Sequence, residues 1–409
     1  MRTTLLSTAL PNESSGSGAS ITLALIANAL RDLGHAVSLC PIVYPEYATP
    51  DGADWERQLE HARSLGFEVE PVISKAWQAC PPRRSPGERL RAAWRIRSEE
   101  LYPTLRDAAA VRVAVDVLRP DAVFVYGFEA LAASTDLRQP RFAATSDPPH
   151  FALRERSVRR WREHPRPVAI ARESVSLQAA LRGHRRIARE LLRDCEAVGA
   201  FGPQHGRWIK RLGIDCRYYR TPIADPGARP PAEVREGRRP RLLLIGHLRG
   251  TATLDGLRVL RKMLPFLRRA LGDGGFEARI VGGYEPPPEL LPLLAEPEVE
   301  FIGFVDDVDP EFRSANVLLV PVSIRLGVRV RVLTGFAHGA CIVTHEANAD
   351  GIPELVHGEN ALLGTDPRTL ASEVARAVSD DGLRRRLGAE ARATYERFFA
   401  PEVAGAARA

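Results

Sequence analysis

Residues 321–364 read PVSIRLGVRVRVLTGFAHGACIVTHEANADGIPELVHGENALLG, and this stretch decides the fold. A β-branched run at residues 317–320 leads into it and predicts a strand. Beyond Gly327, apolar residues recur near the 3.6-residue period of an α-helix. Gly339 ends this helix, because glycine tolerates the positive φ that is common at helix C-termini. A second strand is predicted at residues 341–344.

The order strand, loop, helix, strand predicts a parallel α/β sheet, in which ligands bind at the carboxyl ends of the strands. After the second strand, a polar loop is expected to lead to a short helix around residues 353–355. Gly327 lies where the chain enters the first helix, so main-chain amides there can approach a phosphate. Arg329 and Arg331 lie in the predicted first turn and would add a bidentate grip. The alternative is that both arginines belong to a solvent-facing helix turn.

This segment resembles the C-terminal half of retaining GT-B glycosyltransferases of group 1, or family 4. The resemblance implies an α/β GT-B fold, in which two Rossmann-like domains with parallel sheets face each other across a cleft. It also implies transfer of a sugar from a nucleotide-sugar to a hydroxyl acceptor, with retention and without a cofactor or metal. The matching residues are Gly327, Arg329, Arg331 (where the family has lysine), Leu333, Gly339, Thr344, Gly351, Ile352, Pro353, Glu354 and Leu355.

The chain departs from the family at the two glutamates that usually hold the donor. Their positions correspond to Leu326 and Thr334, and neither residue is a carboxylate. Thr334 still offers one hydrogen bond, but a hydroxyl does not clamp a ribose diol as a carboxylate does. Glu346 follows the strand that ends at Thr344 and is a candidate for the donor contact, with a solvated loop residue as the alternative.

Composition sets the broad class of the protein. At 409 residues the chain suits two domains, and its 44% hydrophobic and 26% charged residues are typical of a globular protein. The net charge is +6, and almost all the positive charge is arginine. The sequence contains no nucleic-acid-binding motif, so nucleic acid is not an expected partner. No apolar run would span a bilayer, and the N-terminus reads as a strand rather than a signal peptide. Five cysteines without C-x-x-C spacing favour a reducing cytoplasm and no zinc site.

The predicted domains follow from composition and pattern. Residues 1–222 form an N-terminal Rossmann-like domain for the acceptor, and residues 223–239, rich in proline, glycine and charge, form a linker. Residues 240–380 form the domain for the nucleotide-sugar donor. Residues 381–409 form a C-terminal helix, which in the family crosses back to the first domain, where Tyr395, Phe398 and Phe399 would pack.

The first strand runs into a glycine-rich loop before a helix expected from about Ser20 to Leu33. Glycines before a helix expose backbone N–H groups, so Gly16 and Gly18 are candidates for an acceptor-side loop, as in the family. Ile21 occupies the place of the third glycine of a dinucleotide fingerprint, which excludes that motif. A tight strand-to-helix turn is the alternative.

Two further loops carry candidate residues. Asp147 and His150 follow a predicted strand at residues 141–145, and the family often presents a His or Asp from a comparable loop to the donor sugar. The alternative is a proline-shaped turn with an exposed histidine. Arg249 follows the first strand of the second domain and is the basic residue available for the donor diphosphate.

The segment from Arg154 to Arg193 is rich in arginine and predicts a basic amphipathic helix. Such a helix can hold an enzyme against anionic lipid headgroups, so a peripheral contact at the inner face of the membrane is one interpretation. A solvated helix in an arginine-rich protein is the other.

Three functions are compatible with these patterns. The first is a cytoplasmic glycosyltransferase acting on a glycan, glycolipid or protein. The second is a catalytically degenerate GT-B scaffold that binds a nucleotide, a sugar or a protein partner, which Leu326 and Thr334 favour. The third is a sugar-nucleotide epimerase, which would draw its acid and base from Asp147, His150 and Glu346.

Overall fold

A computed structural model describes residues 1–12, 18–44, 54–74, 101–163, 165–227, 229–234, 237–248 and 250–406. The chain divides into two compact units that meet in sequence between Tyr219 and Arg220, and each has its own sheet and core. Unit 1 comprises most of residues 1–219, and unit 2 begins at Arg220. Within the described residues, no helix is both long and apolar enough to cross a bilayer.

Unit 1 contains a parallel sheet of eight strands among its described residues, in the order β3-β2-β1-β5-β6-β7-β8, with β4 paired to β2. Its strands are β1 (Arg2–Ser7), β2 (Ala36–Val43), β3 (Glu68–Val69), β4 (Val72–Ile73), β5 (Ala122–Tyr126), β6 (Arg141–Thr145), β7 (Ala197–Ala200) and β8 (Arg217–Tyr218). Its helices are α1 (Gly18–Asp32), α2 (Asp54–Ser64), α3 (Ala108–Leu118), α4 (Phe128–Ala133), α5 (Pro149–Glu163), α6 (Pro167–Arg193) and α7 (Pro203–Lys210), with a 3-10 turn at Pro103–Asp107.

The described residues of unit 2 form a six-stranded parallel sheet in the order β11-β10-β9-β12-β13-β14. Its strands are β9 (Arg241–Ile245), β10 (Glu277–Val281), β11 (Val299–Gly303), β12 (Val317–Val320), β13 (Ile342–His345) and β14 (Leu362–Gly364). Its helices are α8 (Thr251–Leu271), α9 (Leu291–Leu294), α10 (Asp309–Ser314), α11 (Val330–Ala337), α12 (Pro367–Ser379), α13 (Asp381–Phe398) and α14 (Pro401–Ala406), with 3-10 turns at Pro288–Leu290 and Glu346–Asp350.

The central strands of unit 2 are buried on both faces. Successive side chains of a strand point to opposite faces, so Leu242 and Leu244 enter one core, while Leu243 enters the other. Helices α8 and α12 cover the first face, and α11 and α13 cover the second. Helices on both faces of a parallel sheet define the Rossmann-like architecture that the sequence predicts. Both units have it.

Several predicted boundaries agree with the structure, and others differ. The strands at residues 141–145 and 317–320 have the predicted bounds, and Gly339 ends its helix with φ +66°. The helix expected at residues 353–355 is wrong: these residues form a turn, and the helical segment is the 3-10 turn Glu346–Asp350. That turn begins earlier because His345 accepts a hydrogen bond from the Ala347 amide with its Nδ1 atom, which caps it.

Helix α13 packs within unit 2. Tyr395 and Phe399, which the sequence suggested would pack on the first domain, are each 1% exposed in the core of unit 2, and the Tyr395 hydroxyl donates to the Ile223 carbonyl at 3.0 Å. Arg220 and Arg397 both lie over the ring of Phe398.

Four cysteines of the described part of the chain are free thiols: Cys40, Cys195, Cys216 and Cys341. Burial raises the pKa of Cys40 and Cys341 to about 12, and the pKa of Cys195 and Cys216 to about 11. These thiols are therefore protonated in the folded protein at neutral pH.

Candidate functional site

Arg331 joins three elements of unit 2. It lies in the first turn of α11, and its guanidinium donates to the Thr253 hydroxyl of α8 at 3.0 Å. Two of its nitrogens lie 2.5 and 2.7 Å from the place where a Cβ would stand on Gly246, directly after β9. Glycine is required there for space and also for its φ of +148°. Burial, with Arg329 nearby, lowers the pKa of Arg331 to about 10, so the side chain stays cationic at neutral pH.

The N-terminus of α8 lies beside this guanidinium. Gly250 is the N-cap residue, and among the described residues no side chain caps the helix. The first amides of a helix have no partner within it, and they carry the positive end of the helix dipole. A cationic side chain and free amides at the carboxyl end of a parallel strand form an arrangement suited to a phosphate group.

Arg329 holds the loop after β12. It is 8% exposed, its Nε donates to the Asn348 side-chain oxygen at 3.2 Å, and a terminal nitrogen donates to the Ile324 carbonyl at 3.0 Å. Sequence reasoning grouped Arg329 with Arg331. The structure instead gives Arg329 protein acceptors on both sides of its guanidinium.

Asn348 connects this loop to β13, and sequence reasoning missed it. Its side-chain nitrogen lies within hydrogen-bond distance of the Val320 and Val322 carbonyls, the Thr344 hydroxyl and the His345 carbonyl, at 2.8 to 3.4 Å. The predicted strand end at Thr344 was the sequence signal that could have indicated Asn348. Asn348 lies four residues after Thr344, and its buried side-chain amide donates to the Thr344 hydroxyl.

The remaining donor-side candidates have different environments. Thr334 is half-buried and donates its hydroxyl to the Val330 carbonyl of its own helix at 3.1 Å. Glu346 is half-exposed and pairs with Arg325 at 3.3 Å. Gly327 has φ +58°, and a Cβ on Gly351 would collide with its carbonyl oxygen, so both glycines permit a close approach of two loops.

Three ring-bearing residues at the ends of neighbouring strands were not predicted from the sequence. His247 follows β9, Tyr284 follows β10 and Phe304 follows β11. The rings of His247 and Tyr284 meet edge to face at 5.8 Å, and Tyr284 holds a left-handed φ of +77°. Phe304 is 61% exposed and lies against Gly283. Their positions directly after predicted strands could have identified them.

Backbone hydrogen bonds continue past these strands and fix the loops. The Gly246 amide donates to the Val281 carbonyl at 2.9 Å, and the Leu248 amide donates to the Gly283 carbonyl at 3.0 Å.

His247 keeps its Nδ1 atom buried without a hydrogen-bond partner among the described residues. Burial and the charge of Arg331 lower the pKa of His247, so its imidazole is neutral at pH 7.

Two candidates in unit 1 lie at one end of its sheet. Asp147 is half-exposed, and its carboxylate lies 3.2 Å from the Nε2 atom of His205, which is 1% exposed. The contact has ion-pair distance without hydrogen-bond alignment. His150 is not the exposed loop residue of the alternative interpretation. It is buried in the first turn of α5, and its ring lies 4.4 Å from that of Trp208.

The expected roles of Gly16, Gly18 and Arg249 stay predictions. Gly16 and Arg249 lie outside the described residues. Gly18 is the first residue of α1, two residues before the predicted start. Within the described part of the chain, no group of three or more His, Cys, Asp or Glu side chains could hold a metal ion.

Comparison with known proteins concerns the family and the fold. Residues 239–380 match the family model described as glycosyl transferases group 1. This segment is similar to a group 1 glycosyltransferase domain. The matched segment contains β9 to β14, together with Arg331, Thr253 and the three residues that follow β9, β10 and β11. A search among curated proteins finds no match.

Solved structures extend the likeness to the whole GT-B fold. HepE of Anabaena, in complex with UDP and glucose, is 14% identical with a TM-score of 0.63, and the match covers 100% of this chain and 97% of that one. Sucrose-phosphate synthase from Thermosynechococcus elongatus is 14% identical, with a TM-score of 0.68 and the same coverage. TarM of S. aureus, in complex with Fondaparinux, alpha-GlcNAc-glycerol and UDP, is 7% identical, with a TM-score of 0.66 and 98% of each chain covered. At these identities the likeness is one of fold. Both units of the chain therefore have the Rossmann-like fold of GT-B domains.

Proposed function

We propose that this chain transfers a sugar from a nucleotide-sugar donor to a hydroxyl acceptor, with retention at the anomeric carbon. The observation that carries the proposal is the cationic Arg331 beside the start of α8, within the segment that matches the group 1 glycosyltransferase model. A leaving nucleoside diphosphate develops negative charge as the glycosidic bond breaks. Fixed positive charge and main-chain amides lower the energy of that state more than they lower the energy of the bound donor.

The neighbouring residues have distinct parts in this proposal. Thr253 orients the guanidinium of Arg331, since its hydroxyl accepts from a terminal nitrogen. The exposed ring of Phe304 offers a face on which a nucleobase stacks. Asp147 and His150 stay the predicted contacts to the reacting sugar, and Gly18 stays a predicted acceptor-side residue. No carboxylate nucleophile is needed for the front-face substitution that the resemblance implies.

Arg331→Gln tests the role of the guanidinium. We expect turnover to fall about 100-fold, because one fixed charge is lost from the leaving group. The measurement is the release of nucleoside diphosphate from a panel of sugar nucleotides. Arg368→Gln is the matched control: it also removes an arginine at the second position of a helix in unit 2, but its side chain is exposed on α12. Equal activity in both variants would refute the assignment of Arg331.

The donor base is tested by ligand-induced stabilisation. Tight binding to the folded state raises the melting temperature by mass action, so UDP, GDP, ADP, TDP and CMP can be ranked directly. HepE and TarM were both solved with UDP, which makes UDP the first ligand to test. If none of the five stabilises the protein, the proposed diphosphate site is wrong.

A second function is favoured by one observation. The Thr334 hydroxyl is bound to its own helix and Leu326 is apolar, so neither replaces a donor-binding glutamate. A GT-B scaffold that binds a nucleotide, a sugar or a partner without catalysis would have these properties. Stabilisation by a nucleotide, with no turnover over a broad panel of donors and acceptors, would favour the scaffold over the transferase.

The acceptor and the location stay predictions. A glycan, a glycolipid or a protein each carries the required hydroxyl, and the free thiols suit a cytoplasmic location. A peripheral contact with an anionic membrane also stays a prediction, and the vesicle experiment below tests it.

A further inference from the structure

A groove on unit 1 is lined by arginine. It lies between the C-terminal half of α6 and the loop after α7, and its volume is about 620 Å³. We call it the arginine groove. Its charged lining residues are Arg185, Arg186, Arg189, Arg193, Arg211 and a single acid, Glu190.

The helical repeat explains how α6 presents this surface. Ile187, Ala188, Leu191 and Leu192 are buried and hold the helix against the core of unit 1. Arg185, Arg189 and Arg193 recur every four residues and are exposed. Residues four apart lie on one face of a helix, so these guanidiniums form a row.

The positive charge of this row is largely uncompensated. Among the described residues, Arg186, Arg189 and Arg211 form no ion pair, and Arg193 pairs only with its neighbour Asp194, where both side chains are at least 60% exposed. An exposed pair of this kind contributes little. Placing like charges together lowers the stability of the folded chain unless an anion occupies the site.

We propose that the arginine groove binds a polyanionic chain that carries closely spaced phosphate groups. Guanidinium is planar and always charged, and its fork of donors matches two phosphate oxygens at once. A row of such forks inside a concave surface fits a flexible chain of repeated phosphates. This binding is independent of the proposed sugar transfer and of unit 2.

The lining argues against two other occupants. It contains no aromatic side chain on which nucleobases would stack, among the residues that the structure describes there. Leu212 is buried and Ile214 is half-buried, so the lining offers no exposed apolar anchor of the kind that interfacial helices insert into a bilayer. A flat anionic bilayer would also reach fewer of the guanidiniums than a chain lying within the groove.

The test uses the full chain with short, fluorescently labelled inorganic polyphosphate as the probe. Binding is followed by fluorescence anisotropy at about 50 mM and about 200 mM salt, because phosphate contacts weaken steeply with salt. The variant is Arg186→Gln/Arg189→Gln. The matched control is Arg63→Gln/Arg112→Gln, which removes the same charge from two exposed positions of unit 1, on α2 and α3.

We expect the groove variant to bind polyphosphate at least about tenfold more weakly, and the control to bind within about twofold of the unchanged protein. Equal weakening in the two variants would show that net charge alone attracts the probe, which would overturn the proposal. Sedimentation with vesicles containing phosphatidylserine, together with no binding of polyphosphate, would also overturn it and assign the surface to a membrane. Circular dichroism confirms that each variant is folded. The groove variant should bind nucleoside diphosphates as the unchanged protein does, because the proposed donor site lies in unit 2. A failure of polyphosphate binding is thereby distinguished from a failure of the proposed function.

Discussion

Three buried histidines of unit 1 lie close together and are held neutral. Burial lowers the pKa of His150 to about 3 and that of His184 to about 4, and it also lowers the pKa of His205. Nearby charges add to this effect: Arg154 and Arg185 repel the protonated form of His150, and His184 and His205 also repel it once they are themselves protonated. Its ring and that of His184 are 5.8 Å apart. Acid therefore acts on the stability of unit 1.

The direction follows from proton binding. The unfolded chain binds protons near pH 6.5, and the folded chain binds them only near the lowered values, so acid favours unfolding. Stability is full above about pH 6.5 and falls as the pH drops towards the folded pKa values. From His184 alone, about 2 kcal/mol is lost between about pH 7.5 and about pH 5.

His184→Phe should reduce this acid sensitivity by about the same amount, because the ring stays and the titrating group is removed. The measurement is the free energy of unfolding in urea at the two pH values. His61→Phe is the control, since His61 is exposed on α2. An unchanged pH dependence in His184→Phe would show that this histidine is not held neutral by its surroundings.

The sequence indicated Arg331 as a candidate donor-binding residue, but it did not indicate the residues that surround its guanidinium. Arg331 could be predicted as a candidate for phosphate binding, because it follows a strand and a loop and lies in the first turn of a helix. Thr253 lies 78 positions away in sequence, and only the folded sheet brings it to the guanidinium. His205 was missed for the same reason, because the strand order places it beside Asp147. The inward direction of His150 was also out of reach, since sequence pattern does not show which way a single side chain of a helix start turns.

At the scale of elements, Asp255 ties α8 to the loop that leads towards α11. It is 5% exposed and accepts from both the amide and the hydroxyl of Ser323, at 2.7 and 2.9 Å. A carboxylate with two donors holds its loop more firmly than a single neutral hydrogen bond does. The start of α8 and the approach to Arg331 are therefore fixed to each other.

Asp255→Ala should lower the free energy of unfolding by about 1–3 kcal/mol, because two part-buried donors of Ser323 lose their acceptor. We also expect nucleoside diphosphates to bind more weakly, since both elements of the proposed site move. Asp255→Asn keeps one side-chain oxygen, so its free energy of unfolding should lie between that of the unchanged protein and that of Asp255→Ala. Urea unfolding and ligand-induced stabilisation measure the two effects.

Asp366→Ala is the control for this prediction. Asp366 caps α12, where its carboxylate accepts from the amides of Arg368 and Thr369, and losing a cap costs about 1 kcal/mol. It should destabilise the protein without affecting nucleotide affinity. If both variants lose affinity equally, Asp255 has only a general effect on stability.

Elements could be predicted more reliably than their ends. Buried parallel strands are continuous apolar runs, so β6 and β12 were predicted with the bounds they have. Ends depend on single hydrogen bonds. The helix predicted at residues 353–355 was wrong because the His345 imidazole caps an earlier turn, and Glu354 is held by Arg220 at 2.6 Å instead.

At the scale of the whole molecule, each unit has a separate hydrophobic core. All five tryptophans, at positions 55, 77, 94, 161 and 208, precede residue 220. Tryptophan fluorescence therefore reports the unfolding of unit 1, whereas circular dichroism reports both units.

A nucleoside diphosphate bound at the proposed site should raise the thermal transition of unit 2 alone. We expect circular dichroism to show a shifted component while the fluorescence transition stays in place, because mass action stabilises the unit that holds the ligand. Two transitions are the ordinary behaviour of a protein with two domains. Coincident transitions that shift together with the ligand would show that the chain unfolds as one cooperative body.

The overall architecture could be predicted because it follows from repeated signals. Alternating strands and helices over 409 residues indicate two α/β domains, and the proline-rich stretch after residue 221 indicates where one ends. The arginine groove could not be predicted in this way. Its row on α6 follows the helical period, but Arg211 joins it only because α7 and its loop fold beside that helix.

Alkylation of the free cysteines can measure local opening of the structure around each one. A thiol that is both covered and protonated does not react with an alkylating reagent until the structure around it opens. Cys40 and Cys216 lie in the first unit and Cys341 in the second. The rate at which each thiol is alkylated therefore reports how often the structure opens around it in its own unit, without any introduced probe.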